Sequence, residues 1–232
     1  MRSPVSEPPA TPMPRRAMTR RRAGSLMGAA FGVALLGGCD SDEKWHSIDV
    51  SGTSPPLEFT MARAPSGKKV TQADYRGRIT LLYFGYTYCP DICPTTLTNL
   101  GDALKRLGPE AADVRVLFVT VDPNRDTLPV LATYANAFAP QIQGLRGTPD
   151  QLAALARRYR IAYSVSPETK DHPYEVTHSS AIYVFDGSGA ARLLIASLAT
   201  TNPDIAGTAD DLRRLVEEKH PPSLVTRLLR LV

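Results

Sequence analysis

The chain has 232 residues, 43% of them hydrophobic, which is enough for one globular domain with a core of its own plus flanking segments. Its formal charge of +4 suggests a nucleic-acid or membrane-surface partner, but residues 1–38 hold six basic residues and one acid, and the rest carries 21 basic against 22 acidic residues. The basicity belongs to the N-terminal segment, and a nucleic-acid role loses its main support.

That segment reads as an export signal. Arginines at 15, 16, 20, 21 and 22 precede "GSLMGAAFGVALLGGC", whose apolar run, 26–36, is shorter than the about 20 residues of a membrane span. "LGGC", 36–39, resembles a bacterial lipobox, with Cys39 as the lipidated residue left by cleavage. A plain signal anchor is the competing reading, and Met18 offers an alternative start. Residues 39–56 are polar, carry Pro55-Pro56 and read as a tether into a domain at 57–220.

Within the domain, "RITLLYFGYT" (78–87) is a buried strand by its continuous apolar run. Residues 94–108 place Leu97, Leu100, Leu104 and Leu107 at helical spacing, and "VRVLFVTV" (114–121) is a second buried strand. A short helix covers 127–138. The next, 148–160, has Thr148 as N-cap, Pro149 at its first position and Gln151 completing a capping box. "SAIYVF" and "ARLLIAS" flank the turn "DGSG" (186–189) as a hairpin, and 208–220 is a final amphipathic helix. Residues 221–232, apolar and basic, read as an extension that docks as an extra helix. A βαβ unit followed by a ββα unit is the thioredoxin-type arrangement. The fold class is therefore α/β, with a mixed central sheet flanked by helices and the helix at 127–138 inserted between the two units.

Three cysteines, less Cys39, leave Cys89 and Cys93 in "YTYCPDICPTTL". Outside the cytoplasm thiols tend to oxidise, yet one pair is too few for a disulfide scaffold, and a domain of this size needs none. Pro94 is tolerated at the first helical position, which puts Cys93 at the N-cap and Cys89 in the preceding loop. Both sulfurs then sit near the positive end of a helix dipole, which favours thiolates. Thiolates are nucleophiles and soft-metal ligands alike, so redox and metal chemistry both stay open. The C-x-x-x-C spacing is one residue wider than a thioredoxin motif, which suits joint ligation. Two thiolates fall short of the four donors zinc wants, whereas Cu(I) is soft and accepts three.

His178, in "YEVTHSSAIYVFD", supplies the third donor. It lies just before the third core strand, which should run antiparallel to the first and beside it, so its start meets the end that carries the cysteines. The other histidines lack such a position: His46 is in the tether, His172 in a loop, and His220 after the last helix.

"YFGYTYCPDICP", "VTVDPNRDT", "GLRGTPDQLAALARRYRIAY" and "HSSAIYVFD" together resemble the Sco/SenC family, copper proteins of cytochrome c oxidase assembly. The resemblance covers roughly residues 57 to 218. It implies a thioredoxin-like fold binding one copper ion through Cys89, Cys93 and His178, with the same cysteines able to form a redox-active disulfide. It implies delivery of copper to, or reduction of, the binuclear copper site of oxidase subunit II. Other copper chaperones and a thiol reductase are the further implied partners. A membrane tether is usual for the family, which agrees with a lipid on Cys39 at the periplasmic side of the inner membrane. Asp40 resembles a retention signal for that membrane. Many members carry an acid immediately before the histidine, where this chain has Thr177.

Asp122 and Asp126 in "DPNRDT" are expected to cap the loop after the second strand and to pair with Arg125 or a neighbour, and Asp91 to be exposed. The main alternative is a thiol–disulfide oxidoreductase without copper delivery. Against it as the sole role stand the wider cysteine spacing and the absence of a proline in "THSSAIYVF". A peroxiredoxin-like reading fails because Pro90, not Thr or Ser, lies three residues before Cys93. A pure redox or copper sensor also fits the residues.

Overall fold

The computed structural model describes residues 44–166, 168–170 and 174–220. The signal segment, Cys39, His172 and the extension 221–232 lie outside the described residues.

Ile48–Asp49 (β1) is followed by a hairpin, Thr60–Arg63 (β2) and Lys68–Thr71 (β3). Ile79–Gly85 (β4) leads to the helix Ile92–Leu107 (α1), the strand Val114–Thr120 (β5), the helix Leu128–Asn136 (α2) and the strand Ile142–Arg146 (β6). The helix Pro149–Arg158 (α3) precedes Tyr163–Ser166 (β7) and Glu175–His178 (β8). Ile182–Phe185 (β9), Ala191–Ile195 (β10) and the helix Ile205–Lys219 (α4) complete the order.

Eight strands form one mixed sheet in the order β1-β10-β9-β4-β5-β6-β2-β3, and β7 pairs with β8 alone. The unbroken apolar runs of β4 and β5 follow from their place at the centre. Every residue of β4 is buried, because both faces are covered. Leu97, Leu100 and Leu104 of α1, Leu131 of α2 and Leu212 of α4 pack on one face. Leu152 and Leu155 of α3 pack on the other. β4 and β5 run parallel from Ile79↔Val114 to Gly85↔Thr120. β9 runs antiparallel to β4, from Thr80↔Phe185 to Tyr83↔Ile182. The expected thioredoxin-like arrangement is present, and α2 lies between its two units together with β6. The capping box of α3 forms as read: Thr148 Oγ1 accepts from the Gln151 amide at 3.2 Å, and Gln151 Oε1 from the Thr148 amide at 2.9 Å. Among the described residues, no helix is long and apolar enough to cross a membrane.

Three local expectations are corrected. Helix α1 begins at Ile92 with Asp91 as N-cap, not at Pro94. The proline is the third helical residue, where a backbone N–H would have no intrahelical acceptor in any case, so it costs nothing there. Cys93 is thus in the first turn, not at the cap. Second, strands β2, β3, β6, β7 and β8 were not legible, being short; in β2 and β3 only Met61 and Val70 are buried. Third, part of the segment read as a tether is built into the domain. β1 pairs with β10, and the Val50 amide donates to Arg192 O at 2.9 Å. The amides of His46 and Ser47 donate to the two carboxylate oxygens of Asp211 at 3.0 and 2.8 Å. Trp45 lies under the Arg214 guanidinium at 3.9 Å. Polar composition hid this, since the docking uses backbone and one ring. It also needs Gly207, whose Cβ position is taken by the His46 ring and the Asp204 carboxylate.

Asp211 is 3% exposed. Asp211→Asn keeps its size but presents an amide N–H₂ to one of the two N–H groups. The substitution should cost about 2 kcal/mol of stability in denaturant unfolding and speed hydrogen exchange at the Ser47 amide. Unchanged exchange would show that the segment is not held there.

Candidate metal centre

The site stands at the C-terminal end of β4. The loop leaving β4 is stapled to the loop leaving β5 through one buried carboxylate. Asp126 is fully buried and accepts from the Thr87 amide (3.0 Å), the Thr87 hydroxyl (2.6 Å) and the Thr120 hydroxyl (2.6 Å). Burial pushes its pKa up, against those three donors. Outside it, Asp122 pairs with Arg125 and accepts from Tyr174 Oη at 2.7 Å. The Arg125 guanidinium lies over the rings of Tyr174 (4.0 Å) and Tyr88 (4.8 Å). The structural role expected for Asp122 and Asp126 is therefore present, and Asp91 is exposed as expected.

Within that frame the cysteines differ. Cys89 is half-buried; its amide donates to Tyr86 O at 3.3 Å, and its sulfur accepts from the Cys93 amide at 3.4 Å. Cys93 is fully buried on the inner face of α1. Its sulfur takes the space that a side chain on Gly85 would need: a Cβ there would lie 2.7 Å from Cys93 Sγ and 2.6 Å from the Phe118 ring. Glycine at 85 is what lets the helix sulfur come down onto the strand.

His178 arrives from the far side of β4. It ends β8, opposite Tyr163 in the register with β7. Tyr86 Oη donates to Val176 O at 3.2 Å and ties β8 to the loop that carries Cys89. The imidazole stands edge-on to Tyr86 (5.8 Å) and Tyr83 (6.2 Å). Its Nδ1 lies 3.0 Å from Ser179 O, a carbonyl that can only accept, so Nδ1 carries the proton. Nε2 then presents its lone pair to Cys93 Sγ at 3.1 Å. The three donor atoms lie within 4.8 Å of one another. Cys89 and His178 line a groove of about 250 Å³ together with Tyr86, Pro90, Ile92 and Val176, with Cys93 buried behind them.

The Cys93 thiol donates toward Nε2 and keeps its proton: its contact with the Cys89 sulfur, then burial, push its pKa up. Cys89 goes the other way. Its contact with the Cys93 side chain holds it below the ordinary thiol range, helped by the Cys93 and Asp91 amides at the start of α1 and opposed by partial burial. The reduced pair is one thiolate and one thiol. Two sulfurs and a neutral imidazole, one sulfur already anionic, fit a soft three-coordinate ion; the set is one donor short of a closed zinc site. No other group of three such donors occurs among the described residues.

The structure thus brings together the three residues singled out from the sequence. His46 instead pairs with Asp204 at 3.3 Å, and His220 lies 3.7 Å from Asp113. His172 and Cys39 lie outside the described residues. Thr177 is exposed, with its hydroxyl 2.8 Å from that of Ser164 across the β7–β8 pair. Sequence reasoning missed Gly85, Tyr83 and Tyr86. The period-2 alternation of β4 carried the signal, since it puts Tyr83 and Gly85 on the face that α1 covers.

Cys89 should therefore be alkylated by iodoacetamide well before Cys93 in reduced, metal-free protein. Its pKa is lowered, so the thiolate is present above that lowered value and lost only as pH falls through it. The rate at Cys89 should be flat from neutral pH to 9, where an ordinary thiol of pKa about 8.5 gains steeply. Peptide mapping that found Cys93 modified first, or a rate climbing to pH 9, would contradict the assignment.

A family model described as SCO1/SenC matches residues 56–217. Over 125 residues the chain is 44% identical to "Protein SCO2 homolog, mitochondrial" of Bos taurus, covering 53% of this chain and 47% of that protein. Over 178 residues it is 35% identical to the Mus musculus protein of the same description, covering 74% and 69%. It thus spans about half the length of the cattle relative. The structure of Bradyrhizobium japonicum ScoI with copper bound aligns at a TM-score of 0.61 and 34% identity, over 70% of this chain and 99% of that one. With most of the domain matched by one family model, the chain belongs to the SCO1/SenC family.

Proposed function

We propose that this protein binds one Cu(I) through Cys89, Cys93 and His178. It serves cytochrome c oxidase assembly by delivering copper to, or preparing the thiols of, the binuclear copper site of subunit II. The observation that carries the reading is the lone pair of His178 Nε2, turned by the Ser179 carbonyl toward two sulfurs of which one is already a thiolate. Family membership supports the assembly role. Loading displaces the Cys93 proton, so binding releases a proton and strengthens as pH rises. Oxidation to a Cys89–Cys93 disulfide would remove both sulfur donors at once and release the metal. A lipid on Cys39 would hold the domain at the periplasmic face of the inner membrane.

One observation favours a second reading, a thiol–disulfide reductant. Cys89 is the more exposed sulfur and the thiolate, whereas Cys93 is buried and protonated. In that chemistry Cys89 attacks a partner disulfide and expels one partner thiolate. Cys93 then loses its proton and attacks Cys89, which frees the second partner thiol and leaves the chain oxidised.

Competition against a Cu(I) chelator should show one ion per reduced chain. Cys89→Ser or Cys93→Ser should abolish tight binding. His178→Ala should weaken it by more than the roughly 10–100-fold that loss of an outer partner costs. Equal affinity in His178→Ala would defeat the three-donor site. In cells, a deletion strain should lose oxidase activity when copper is scarce and regain part of it with added copper, and His178→Ala should behave like the deletion. Full activity of His178→Ala at low copper, with Cys89→Ser inactive, would make thiol exchange the working chemistry. Mass spectrometry of the N-terminal peptide should find lipidated Cys39; an unmodified Cys39 in soluble protein would remove the anchor.

A further inference from the structure

Three buried hydroxyls among the described residues have no hydrogen-bond partner: those of Tyr83, Thr96 and Tyr134. Buried hydroxyls are normally satisfied, and leaving one unmet is destabilising. Two of them, Tyr83 and Thr96, share the α1–β4 layer with the buried Cys93, and Tyr134 packs against that layer. Thr96 follows Cys93 by three residues, one turn along α1, and faces the sheet with it. Tyr83 precedes Gly85 on the same face of β4, and Gly85 is the residue over which Cys93 Sγ sits. Tyr134 reaches in from α2, its ring 5.4 Å from Phe118, which is 5.9 Å from Tyr83. Of the three, Tyr83 is tied most closely to the donor set. It is fully buried and its ring meets His178 edge-on at 6.2 Å; burial, then the neighbouring Cys93 sulfur, Thr96 hydroxyl and Cys89 sulfur, act on its hydroxyl, none of them in hydrogen-bond geometry.

We propose that the Tyr83 hydroxyl is a positioned hydrogen-bond donor held for the Cys93 thiolate of the metal-loaded protein. The inference rests on the Cys–Cys–His copper reading and adds a residue to it. In the metal-free protein Cys93 is a thiol turned toward His178 Nε2, and a thiol sulfur is a weak acceptor. The Tyr83 hydroxyl therefore goes unmet. When copper binds, the Cys93 proton leaves to solvent and Nε2 turns from proton acceptor to ligand. The sulfur, still fully buried, becomes anionic. A buried anion needs compensating donors, and hydrogen bonds to charged acceptors are about twice as strong as neutral ones. Tyr83 supplies such a donor from a ring already locked between His178 and Phe118, with little further ordering to do. The cost of the orphaned hydroxyl falls on the empty protein, and its benefit on the loaded one.

The two states should then answer Tyr83→Phe with opposite signs. The substitution keeps the ring and its contacts and removes only the hydroxyl. Metal-free Tyr83→Phe should unfold at the same or higher denaturant concentration than the parent. Its Cu(I) affinity, by chelator competition on the reduced protein, should fall about tenfold. Loaded with Cu(II), it should show a sulfur-to-copper charge-transfer band at lower energy, since the sulfur has lost a hydrogen bond. Unchanged affinity and band would overturn the proposal. So would a loss of metal-free stability as large as the loss in binding, because the hydroxyl would then already have a partner in the empty protein. If the parent itself bound no copper, the copper reading would fail first, and the stability measurement alone would still report whether the hydroxyl is orphaned.

Discussion

The antiparallel pairing of β9 beside β4 is the constraint on which the rest of the site depends. Cys93 and His178 are 85 residues apart, yet Cys93 Sγ and His178 Nε2 lie 3.1 Å from each other. Tyr83↔Ile182 is the last registered pair before the strands part, and it sets the height at which the chain enters β9. A slip of one residue would turn Tyr83 and Gly85 away from α1 and Cys93. The two buried central strands allow no such slip, because each apolar side chain already has a place in one of two packed layers.

Around that pairing, each donor is held by a different device. Cys93 is held by packing, through a missing side chain at Gly85. Cys89 sits in a loop stapled by the buried carboxylate of Asp126. His178 is held by a carbonyl on Nδ1 and by Tyr86, which also belongs to the loop of Cys89. One residue thus touches both halves of the site. The geometry leaves the reduced pair with a single proton, on the buried sulfur. An anionic, half-exposed Cys89 is competent to take up a soft cation or to attack a disulfide, and His178 is the feature that a simple dithiol exchange would not require.

The hydroxyls without partners show where the fold departs from ordinary satisfaction rules. Elsewhere among the described residues buried side-chain polar groups are met: Asp126 has three donors, Asp211 two and Asp122 two. Orphans gathered in and against the layer that holds Cys93 are a local departure, and such departures are expected at functional sites more than in scaffolding.

Much of this was legible in the amino-acid order. The continuous apolar runs of 78–87 and 114–121, the capping box at Thr148 and the "DGSG" turn are local signals, set by residues next to one another. The order strand–helix–strand followed by hairpin–helix then dictates which strands are neighbours, and that singles out His178 from the four histidines. The spacing of Cys89 and Cys93 and the first-turn position of Pro94 placed both sulfurs at a helix start, although the boundary lay two residues earlier. Only the tertiary structure decided the rest. Short strands such as β2 and β7 form because a partner strand lies beside them, and their own residues barely alternate. Trp45 to Val50 joins the domain through backbone donors and Asp211, more than 160 residues away, which composition cannot register. The tautomer of His178, the one proton of the cysteine pair and the unmet hydroxyl of Tyr83 depend on distances and burial between residues remote in the chain. Those quantities exist only once the chain has folded.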